Sequence, residues 1–458
     1  MDRSLRPEGL MVSVSGVRGR VGEALTPELI AAYAGAFGAW ARRSGTSRAV
    51  VVGRDSRVSG PLFHRVVIGA LQAAGCDVID VGLAPTPTIQ LAVEHHHAAG
   101  GLAITASHNP IEWNALKFIN PTGLFLDAAQ GVAMRSLLDD GNPYVAWAEL
   151  GSVSQDDAAI ARHIDLVLGL PQLNVDGIRG RGFRVALDCC HGAGGAILPA
   201  LLERLGCTIS AIGVETDGRF PRPPEPVAGQ LGDLGRLVRK NKSVIGFATD
   251  PDVDRLALVD EAGSAIGEDW TLALAARVVL ARKAGPVVTN LSTSRILDDV
   301  AAEAGATVMR SPVGEVNVAM AMRAAGAVVG GEGNGGVILP ELHLGRDAPA
   351  GVALILQLLH DSGQSLSQIV RQYPVYAIVK DKLALPAIPL AAVYESLTAA
   401  FPDAIRDTQD GLRLSWSDRW LHVRPSGTEP VVRAIAEAPT AKDAHALLAR
   451  AREQLEKT

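Results

Sequence analysis

The stretch Leu71–Gly82 reads LQAAGCDVIDVG, a helix-like run that meets an apolar run at a glycine. Glycine at that point is typical of a helix C-terminus, where the backbone takes a positive φ angle. Two more stretches follow the same pattern, LLERLGCTISAIG at Leu201–Gly213 and VAAEAGATVMRSPVG at Val300–Gly314. An apolar strand pattern also precedes each helix. This alternation predicts an α/β fold with three similar domains, each with a mixed or parallel sheet.

The length of the chain favours several domains. With 458 residues it is too long for one hydrophobic core. From about residue 373 the pattern changes to shorter strands and a final helix, which predicts a C-terminal α+β domain. We therefore expect four domains around a central cleft, over residues 1–153, 154–258, 259–371 and 372–458.

Composition limits the partners and the location. The chain has 49 acidic and 43 basic residues and a formal charge of -6, which argues against a nucleic-acid surface. No apolar run approaches a membrane span of about 20 residues, and the N-terminus has no signal-like core. The four cysteines lack CxxC spacing and are interpreted as structural. We expect a cytoplasmic protein without nucleic-acid or membrane partners.

Unusual loops follow three of the predicted strands. Gly101–Ile104 leads into TASHNP, the serine loop (Thr105–Pro110), which leaves Ser107 at the mouth of a strand. Ligands of open α/β sheets bind outside such strand ends. Ser107 is thus placed for chemistry. The alternative is a capped turn in which Ser and Asn bond their own backbone.

The second loop, Asp250–Arg255, reads DPDVDR and is called the aspartate loop. Three carboxylates within five residues repel one another unless a cation is present, and all-oxygen ligands favour Mg²⁺. An EF-hand is disfavoured because Arg255 stands at the sixth position, where that loop needs glycine. A solvated acidic turn is the remaining alternative.

Two more loops indicate a sugar and a phosphate. In the glycine loop (Gly331–Gly336, GEGNGG), Glu332 and Asn334 can bond sugar hydroxyls. The tail loop (Arg424–Pro430, RPSGTEP) combines a guanidinium, hydroxyls and a glycine, which suits a phosphate cradle, and Arg433 can add a second fork. Each loop alone could also be a plain or flexible turn.

Together these features imply phosphoryl transfer to or from a sugar, and the chain resembles the α-D-phosphohexomutase family. The serine, aspartate, glycine and tail loops match the family's phosphoserine, metal, sugar and phosphate loops in order. SGVRG at Ser15–Gly19 and GRDSR at Gly53–Arg57 also match. The resemblance covers essentially the whole chain. It implies a mutase that interconverts hexose 6-phosphate and 1-phosphate through a phosphoserine and a hexose 1,6-bisphosphate.

The resemblance also implies roles for individual residues. Ser107 would carry the phosphoryl group, and Asp250, Asp252 and Asp254 would bind Mg²⁺ together with the phosphoserine oxygen. The remaining implied residues fall into three sets: catalytic His108, Lys117, Arg18 and Arg255; substrate-binding Gly331, Glu332, Asn334, Gly314 and His343; and phosphate-binding Arg424, Ser426, Gly427, Thr428 and Arg433.

The chain departs from the family pattern in the glycine loop. Family members commonly read GE-x-SGH, whereas Asn334 and Gly336 replace the Ser and the His here. The missing histidine leaves the general base open. It could be His343, or a phosphate oxygen could accept the proton while His343 is structural.

The SGT triplet in the tail loop resembles the phosphoglucosamine mutase branch of the family, which implies glucosamine 6-phosphate as substrate, with a phosphomannomutase/phosphoglucomutase as the alternative. A sugar phosphatase and a non-catalytic sugar-phosphate sensor are the other readings. The tail loop argues against the phosphatase, and the intact Ser107 and aspartates argue against the sensor. We expect small-molecule sugar phosphates as partners of a monomer or a homodimer.

Overall fold

The computed structural model describes residues 7–44, 47–139, 143–384, 388–425 and 431–457, and their strands form four sheets. The first sheet contains seven strands and is packed with four helices. In chain order these elements are β1 (Met11–Val12), β2 (Gly16–Arg20), α1 (Pro27–Ser44), β3 (Ala49–Arg54), α2 (Gly60–Ala73), β4 (Asp77–Leu83), α3 (Thr86–His95), β5 (Gly100–Ile104), β6 (Trp113–Ile119), α4 (Ala128–Asp139) and β7 (Val153–Gln155).

The second and third sheets have four and five strands. The second unit contains α5 (Ala159–Leu168), α6 (Val175–Arg181), β8 (Arg184–Asp188), α7 (Gly194–Arg204), β9 (Thr208–Ile212), α8 (Gly232–Asn241), β10 (Ile245–Thr249) and β11 (Leu256–Val259). The third contains α9 (Asp269–Leu280), β12 (Val287–Asn290), α10 (Ile296–Glu303), β13 (Val308–Ser311), α11 (Glu315–Ala325), β14 (Val329–Glu332), β15 (Gly336–Leu339), β16 (His343–Arg346), α12 (Ala348–Ser362) and α13 (Leu366–Val370).

The predicted similarity of these three units is confirmed by their strand order. The sheets contain the runs β6-β5-β3-β4, β11-β10-β8-β9 and β15-β14-β12-β13. In chain order, the first three strands of each run (β3 to β5, β8 to β10 and β12 to β14) pair in parallel. The fourth strand (β6, β11 or β15) pairs antiparallel with the third. The glycines expected at the helix ends, Gly75, Gly206 and Gly305, have φ angles of 80°, 72° and 65°. The serine, aspartate and glycine loops therefore follow equivalent strands, β5, β10 and β14.

The C-terminal unit is the predicted α+β domain. Its strands form an antiparallel sheet in the order β17-β21-β20-β19-β18, with two helices packed against it. The elements are β17 (Ala377–Ala384), α14 (Leu390–Ala400), β18 (Ile405–Asp407), β19 (Leu412–Ser415), β20 (Trp420–Pro425), β21 (Val431–Ala438) and α15 (Ala441–Lys457).

The hydrophobic cores do not follow the repeats one to one. One cluster of buried side chains extends from Ile164 to Tyr373 and so joins the second and third units. Every residue of α12 from Ala348 to Leu359 is buried, because that helix packs against α9, β11 and β15 as well as α5 to α7. The main core of the first unit and the core of the fourth unit each contain residues of one unit only, whereas a smaller cluster of the first unit also includes Ala159 of α5.

The predicted domain limits fall close to the edges of the sheets and stay a prediction. The first sheet ends at Gln155, two residues past the limit at 153, because β7 adds a parallel edge strand to β4. The second sheet ends at Val259, one residue past the limit at 258. All four cysteines are free thiols.

Candidate active site

The serine loop places Ser107 against the second unit. Ser107 has a positive φ angle of 49° and is only 5% exposed. Its Oγ donates a hydrogen bond to Asp250 Oδ2 at 2.9 Å and lies 3.4 Å from Nδ1 of His108. The serine hydroxyl is therefore directed at the aspartate loop. A loop that served only as a capped turn would not need this contact.

Arg57, fully buried, fixes the shape of the serine loop. Its Nε pairs with Asp55 Oδ2 at 3.2 Å, and Thr105 Oγ1 donates to the same oxygen at 2.7 Å. The amide of Ser107 in turn donates to Thr105 Oγ1 at 2.9 Å. The guanidinium also donates to four backbone carbonyl oxygens at 2.6 to 2.8 Å, those of Ser107, Asn109, Pro110 and Trp113.

The three carboxylates of the aspartate loop converge at the end of β10. Ligand oxygens of Asp250, Asp252 and Asp254 all lie within 4.8 Å of one another, and the side chains are buried. Lys117 Nζ donates to Asp252 Oδ2 at 2.7 Å and lies 3.6 Å from Asp254 Oδ2. Oδ1 of Asp252 and Oδ1 of Asp254 are buried and accept no hydrogen bond from any described residue. This group could hold a metal ion.

The electrostatics of the triad also favour a cation. Burial, and then the charges of Asp254 and Asp252, raise the pKa of Asp250 well above its usual value. Burial opposes ionisation of Asp252 as well, but the ion pair and hydrogen bond with Lys117 hold its pKa far below the usual range. The same pairing outweighs burial and raises the pKa of Lys117. The raised pKa of Asp250 reflects the mutual repulsion of the three buried carboxylates, which an added cation would relieve.

Three further predicted residues lie around Ser107. Arg18 on β2 donates to Asn109 Oδ1 at 3.2 Å, and Arg255 pairs with Glu225 at 2.8 Å. The charge of Arg255, then burial and the charge of Arg18, hold the pKa of His108 well below its usual value. His108 is therefore a neutral imidazole at pH 7 beside two cations, which suits an anionic group at this position.

The glycine loop holds Glu332 at the end of β14, where the carboxylate accepts several hydrogen bonds. Asn290 Nδ2 and the amide of Gly314 donate to Oε1 at 2.8 and 3.1 Å. Asn334 Nδ2 lies 3.4 Å from Oε2. Gly331 has a φ angle of 148°, and a Cβ there would lie 2.0 Å from the oxygen of Gly336. The glycines permit a close hairpin, which the sequence pattern alone does not distinguish from a flexible turn.

Arg346 joins the glycine and aspartate loops and was not predicted. It lies at the end of β16 and contacts Glu332 and Asp254 at 2.7 and 2.5 Å. These partners are 14 and 92 residues away in the chain. A lone arginine at a strand end carries no local signal, so only the tertiary structure identifies it.

His343 is committed to a buried network. Its Nδ1 accepts from the amide of Gly345 at 3.1 Å, so Nε2 carries the proton and donates to Asp347 Oδ2 at 3.0 Å. His163 Nε2 shares that carboxylate oxygen at 2.8 Å. With both ring nitrogens used, the geometry favours the structural alternative for His343 over the general base.

The tail loop is described only at its first two residues, so the predicted Ser426, Gly427 and Thr428 lie outside the described residues. Arg424 on β20 is directly opposite Arg433 on β21. Arg424 also lies 3.5 Å from Asp410, and burial lowers its pKa. Two like charges thus face each other where the chain enters the tail loop, and the Asp410 carboxylate offsets part of the charge of Arg424.

Comparison with known families agrees with this geometry. The chain matches all four domains of the phosphoglucomutase/phosphomannomutase family: α/β/α domain I over residues 10–141, domain II over 161–263, domain III over 267–376 and the C-terminal domain over 376–454. The chain belongs to this family. The resemblance of the four loops to the phosphohexomutase family is confirmed, as is the predicted fold class.

Relatives within the family carry two different names at the same similarity. A "Probable phosphoglucosamine mutase" of Methanopyrus kandleri is 38% identical over 445 residues and 96% of each chain. A "Phosphoglucomutase/phosphomannomutase" of Thermococcus kodakarensis is also 38% identical over 445 residues, covering 96% of this chain and 97% of its own. The crystal structure of a family protein from Burkholderia thailandensis has a TM-score of 0.84 at 27% identity, covering 97% of this chain and 96% of its own. Among the described residues, none of the helices combines the length and apolarity needed to span a membrane.

Proposed function

We propose that this phosphohexomutase family member interconverts hexose 6-phosphate and hexose 1-phosphate, with glucosamine 6-phosphate as its preferred substrate. The observation that carries the proposal is the hydrogen bond from Ser107 Oγ to Asp250, which joins a placed hydroxyl to a metal-capable triad. The similarity to the "Probable phosphoglucosamine mutase" of Methanopyrus supports glucosamine, and the equally similar Thermococcus protein supports a phosphomannomutase/phosphoglucomutase as the second candidate.

The triad fits a hard divalent cation. The two orphaned oxygens, Oδ1 of Asp252 and Oδ1 of Asp254, are the acceptors a metal would satisfy, and Asp250 and Ser107 complete an all-oxygen set. We propose Mg²⁺ there, held by the three aspartates and the serine oxygen. When bound, it would supply neutralisation of charge on the transferring phosphoryl group.

The protein's own groups position the transfer. Phosphorylated Ser107 gives its phosphoryl group to the free hydroxyl of the hexose phosphate, so the Oγ–P bond breaks as the sugar O–P bond forms. Lys117, Arg18 and Arg255 surround Ser107 with positive charge, which is the main demand of phosphoryl transfer. A phosphate oxygen takes the hydroxyl proton, because His343 is bonded at both nitrogens.

The remaining predicted groups hold the substrate. Glu332 and Asn334 face the sugar hydroxyls, and Arg424 with Arg433 binds the phosphate that is not transferred. The hexose 1,6-bisphosphate formed in the first transfer then returns its other phosphoryl group to Ser107. We further propose a cytoplasmic monomer or homodimer whose partners are small-molecule sugar phosphates.

The test is a coupled assay of Ser107→Ala with glucosamine, glucose and mannose 1- and 6-phosphates and hexose 1,6-bisphosphate. Turnover should fall at least a thousandfold while the melting temperature changes little. Ser243→Ala is the matched control, because Ser243 is equally buried in the second unit. Normal turnover in Ser107→Ala would overturn the phosphoserine cycle, and the fastest sugar of the wild type decides between the two candidate substrates.

A further inference from the structure

One arginine connects three acids of the second and third units. Arg346 Nη2 donates to Asp254 Oδ2 at 2.5 Å, and Nη1 donates to Glu332 Oε2 at 2.7 Å. Its Nε lies 3.1 Å from Glu315 Oε2. The arginine side chain is 9% exposed, so these contacts form with little screening by water. The position of Glu332 in the glycine loop is thus tied to the aspartate loop through a single side chain.

The hydrogen bonds accepted by Glu332 show how its contact with Arg346 fixes the carboxylate. An ionised carboxylate offers about four acceptor positions. Asn290, Gly314 and Arg346 fill three of them at 3.1 Å or less, and Asn334 takes the fourth at 3.4 Å. Three short bonds fix the carboxylate, so the long bond to Asn334 is the one that a sugar hydroxyl can replace at least cost.

Gly336 provides the space that Arg346 occupies. A Cβ at position 336 would lie 2.2 Å from Cδ and 2.9 Å from Cγ of Arg346. Any larger residue at 336 therefore pushes the arginine stem away from its place. The glycine that departs from the common family pattern has a structural reason in this chain.

We propose that Arg346 is a positioning residue for hexose phosphate binding, which orients Glu332 toward the sugar while anchored on Asp254. This inference rests on the proposed function. Because Glu332 would contact the sugar before and during transfer alike, loss of Arg346 removes uniform binding energy. The KM therefore rises more than kcat falls.

Binding is measured without turnover in the Ser107→Ala background, by calorimetry with glucosamine 6-phosphate. Adding Arg346→Met should weaken binding about tenfold, the loss of one charge-assisted hydrogen bond. Arg346→Lys should recover part of this, since an ammonium reaches one carboxylate but cannot fork to two. The control is Arg310→Met, which removes an arginine of similar exposure that pairs with Asp298 elsewhere in the third unit.

A double-mutant cycle tests whether Arg346 acts through Glu332. If it does, Arg346→Met adds little to the KM of Glu332→Gln, and the two effects are strongly non-additive. Gly336→Ala should displace the Arg346 side chain while its charge is retained. This variant should therefore raise the KM even if Arg346→Met folds poorly.

The outcomes separate the two proposals. If the wild type neither converts nor binds the tested sugar phosphates, the proposed function fails. If the wild type converts them but Arg346→Met and Gly336→Ala both bind within twofold of their parent, the positioning role of Arg346 is overturned. Equal weakening by Arg310→Met, or additive effects with Glu332→Gln, would also overturn it.

Discussion

Arg57 illustrates how one buried charge can shape a reactive loop. Its partner Asp55 is equally buried, and its other donors hold the carbonyl oxygen of Ser107 itself and those of residues that follow it, such as Asn109. A loop with a positive φ angle at a serine is unfavourable in isolation, because the left-handed region costs about 1–2 kcal/mol for such residues. The arginine supplies the bonds that keep the serine in that conformation.

Replacing Arg57 with Met should therefore destabilise the first unit by about 3–5 kcal/mol, because Asp55 is left buried and unpaired. We expect faster hydrogen exchange in the serine loop and slower phosphorylation of Ser107. Hydrogen exchange followed by mass spectrometry measures the first, and intact mass after incubation with hexose 1,6-bisphosphate measures the second. Arg48→Met is the control, since its half-exposed pair with Asp77 contributes about 1 kcal/mol or less. Similar hydrogen exchange of the serine loop in both variants would contradict this role of Arg57.

Residues could be predicted from the sequence where their partners are close in the chain. The three aspartates lie within five residues and Ser107 follows a strand, so residue type and spacing made them candidates. The match of all four loops to the family then implied their roles. The roles of Arg57 and Arg346 depend on partners 50 and 92 residues away, and neither position shows local periodicity. A single sequence contains no local pattern that indicates such long-range contacts.

At the scale of elements, the hairpin of β14 and β15 is held against β11 by a glycine. Gly335 has a φ angle of 89°, and its carbonyl accepts from the amide of Leu256 at 3.0 Å. A Cβ at 335 would lie 2.4 Å from the oxygen of Leu256. The hairpin and the strand after the aspartate loop thus meet backbone to backbone, which only glycine allows.

Gly335→Ala should shift this hairpin, raise the KM for hexose phosphate about tenfold and lower the melting temperature. Gly305→Ala provides a matched control, because Gly305 also has a positive φ angle but its Cβ would meet no atom within 4 Å. That control should cost about 1 kcal/mol in stability and leave the KM unchanged. Steady-state kinetics and thermal melts of both variants are the measurement. A KM that is equal in the two variants would show that contact with Leu256 is unimportant.

For the whole molecule, His422 links the third and fourth units. Its Nε2 donates to the carbonyl of Asp410 at 2.7 Å, so Nδ1 accepts from Ser292 Oγ at 2.8 Å. Burial lowers the pKa of His422 to about 4. The unfolded imidazole titrates near 6.5, so between pH 6.5 and 4 the unfolded chain binds a proton that the folded chain does not. This group therefore removes stability as the pH falls, by about 3 kcal/mol over the window.

The His422→Gln variant should lose this dependence, so its stability relative to the wild type should rise as the pH falls from 6.5 to 4. The comparison must be made between variants, because Asp269 acts in the opposite direction. Burial raises the pKa of Asp269 to about 7, and its folded carboxyl keeps a proton that the unfolded chain loses above pH 4. Calorimetric melts across this range provide the measurement, and parallel curves for the two proteins would contradict the role of His422.

Because the second and third units share one hydrophobic core, the units that repeat in the sequence are not the units that unfold cooperatively. Three repeats are visible in the sequence, yet α9 and α12 bury side chains against both neighbouring sheets. A fragment that contains only one of the two units would expose the apolar side chains that pack against the other. The fourth unit, in contrast, has a hydrophobic core made only of its own residues. Calorimetry should therefore show residues 161–376 melting as one transition, and expression of residues 267–376 alone should yield aggregated protein. A single α/β repeat of this chain is therefore shorter than the shortest segment containing it that can fold independently.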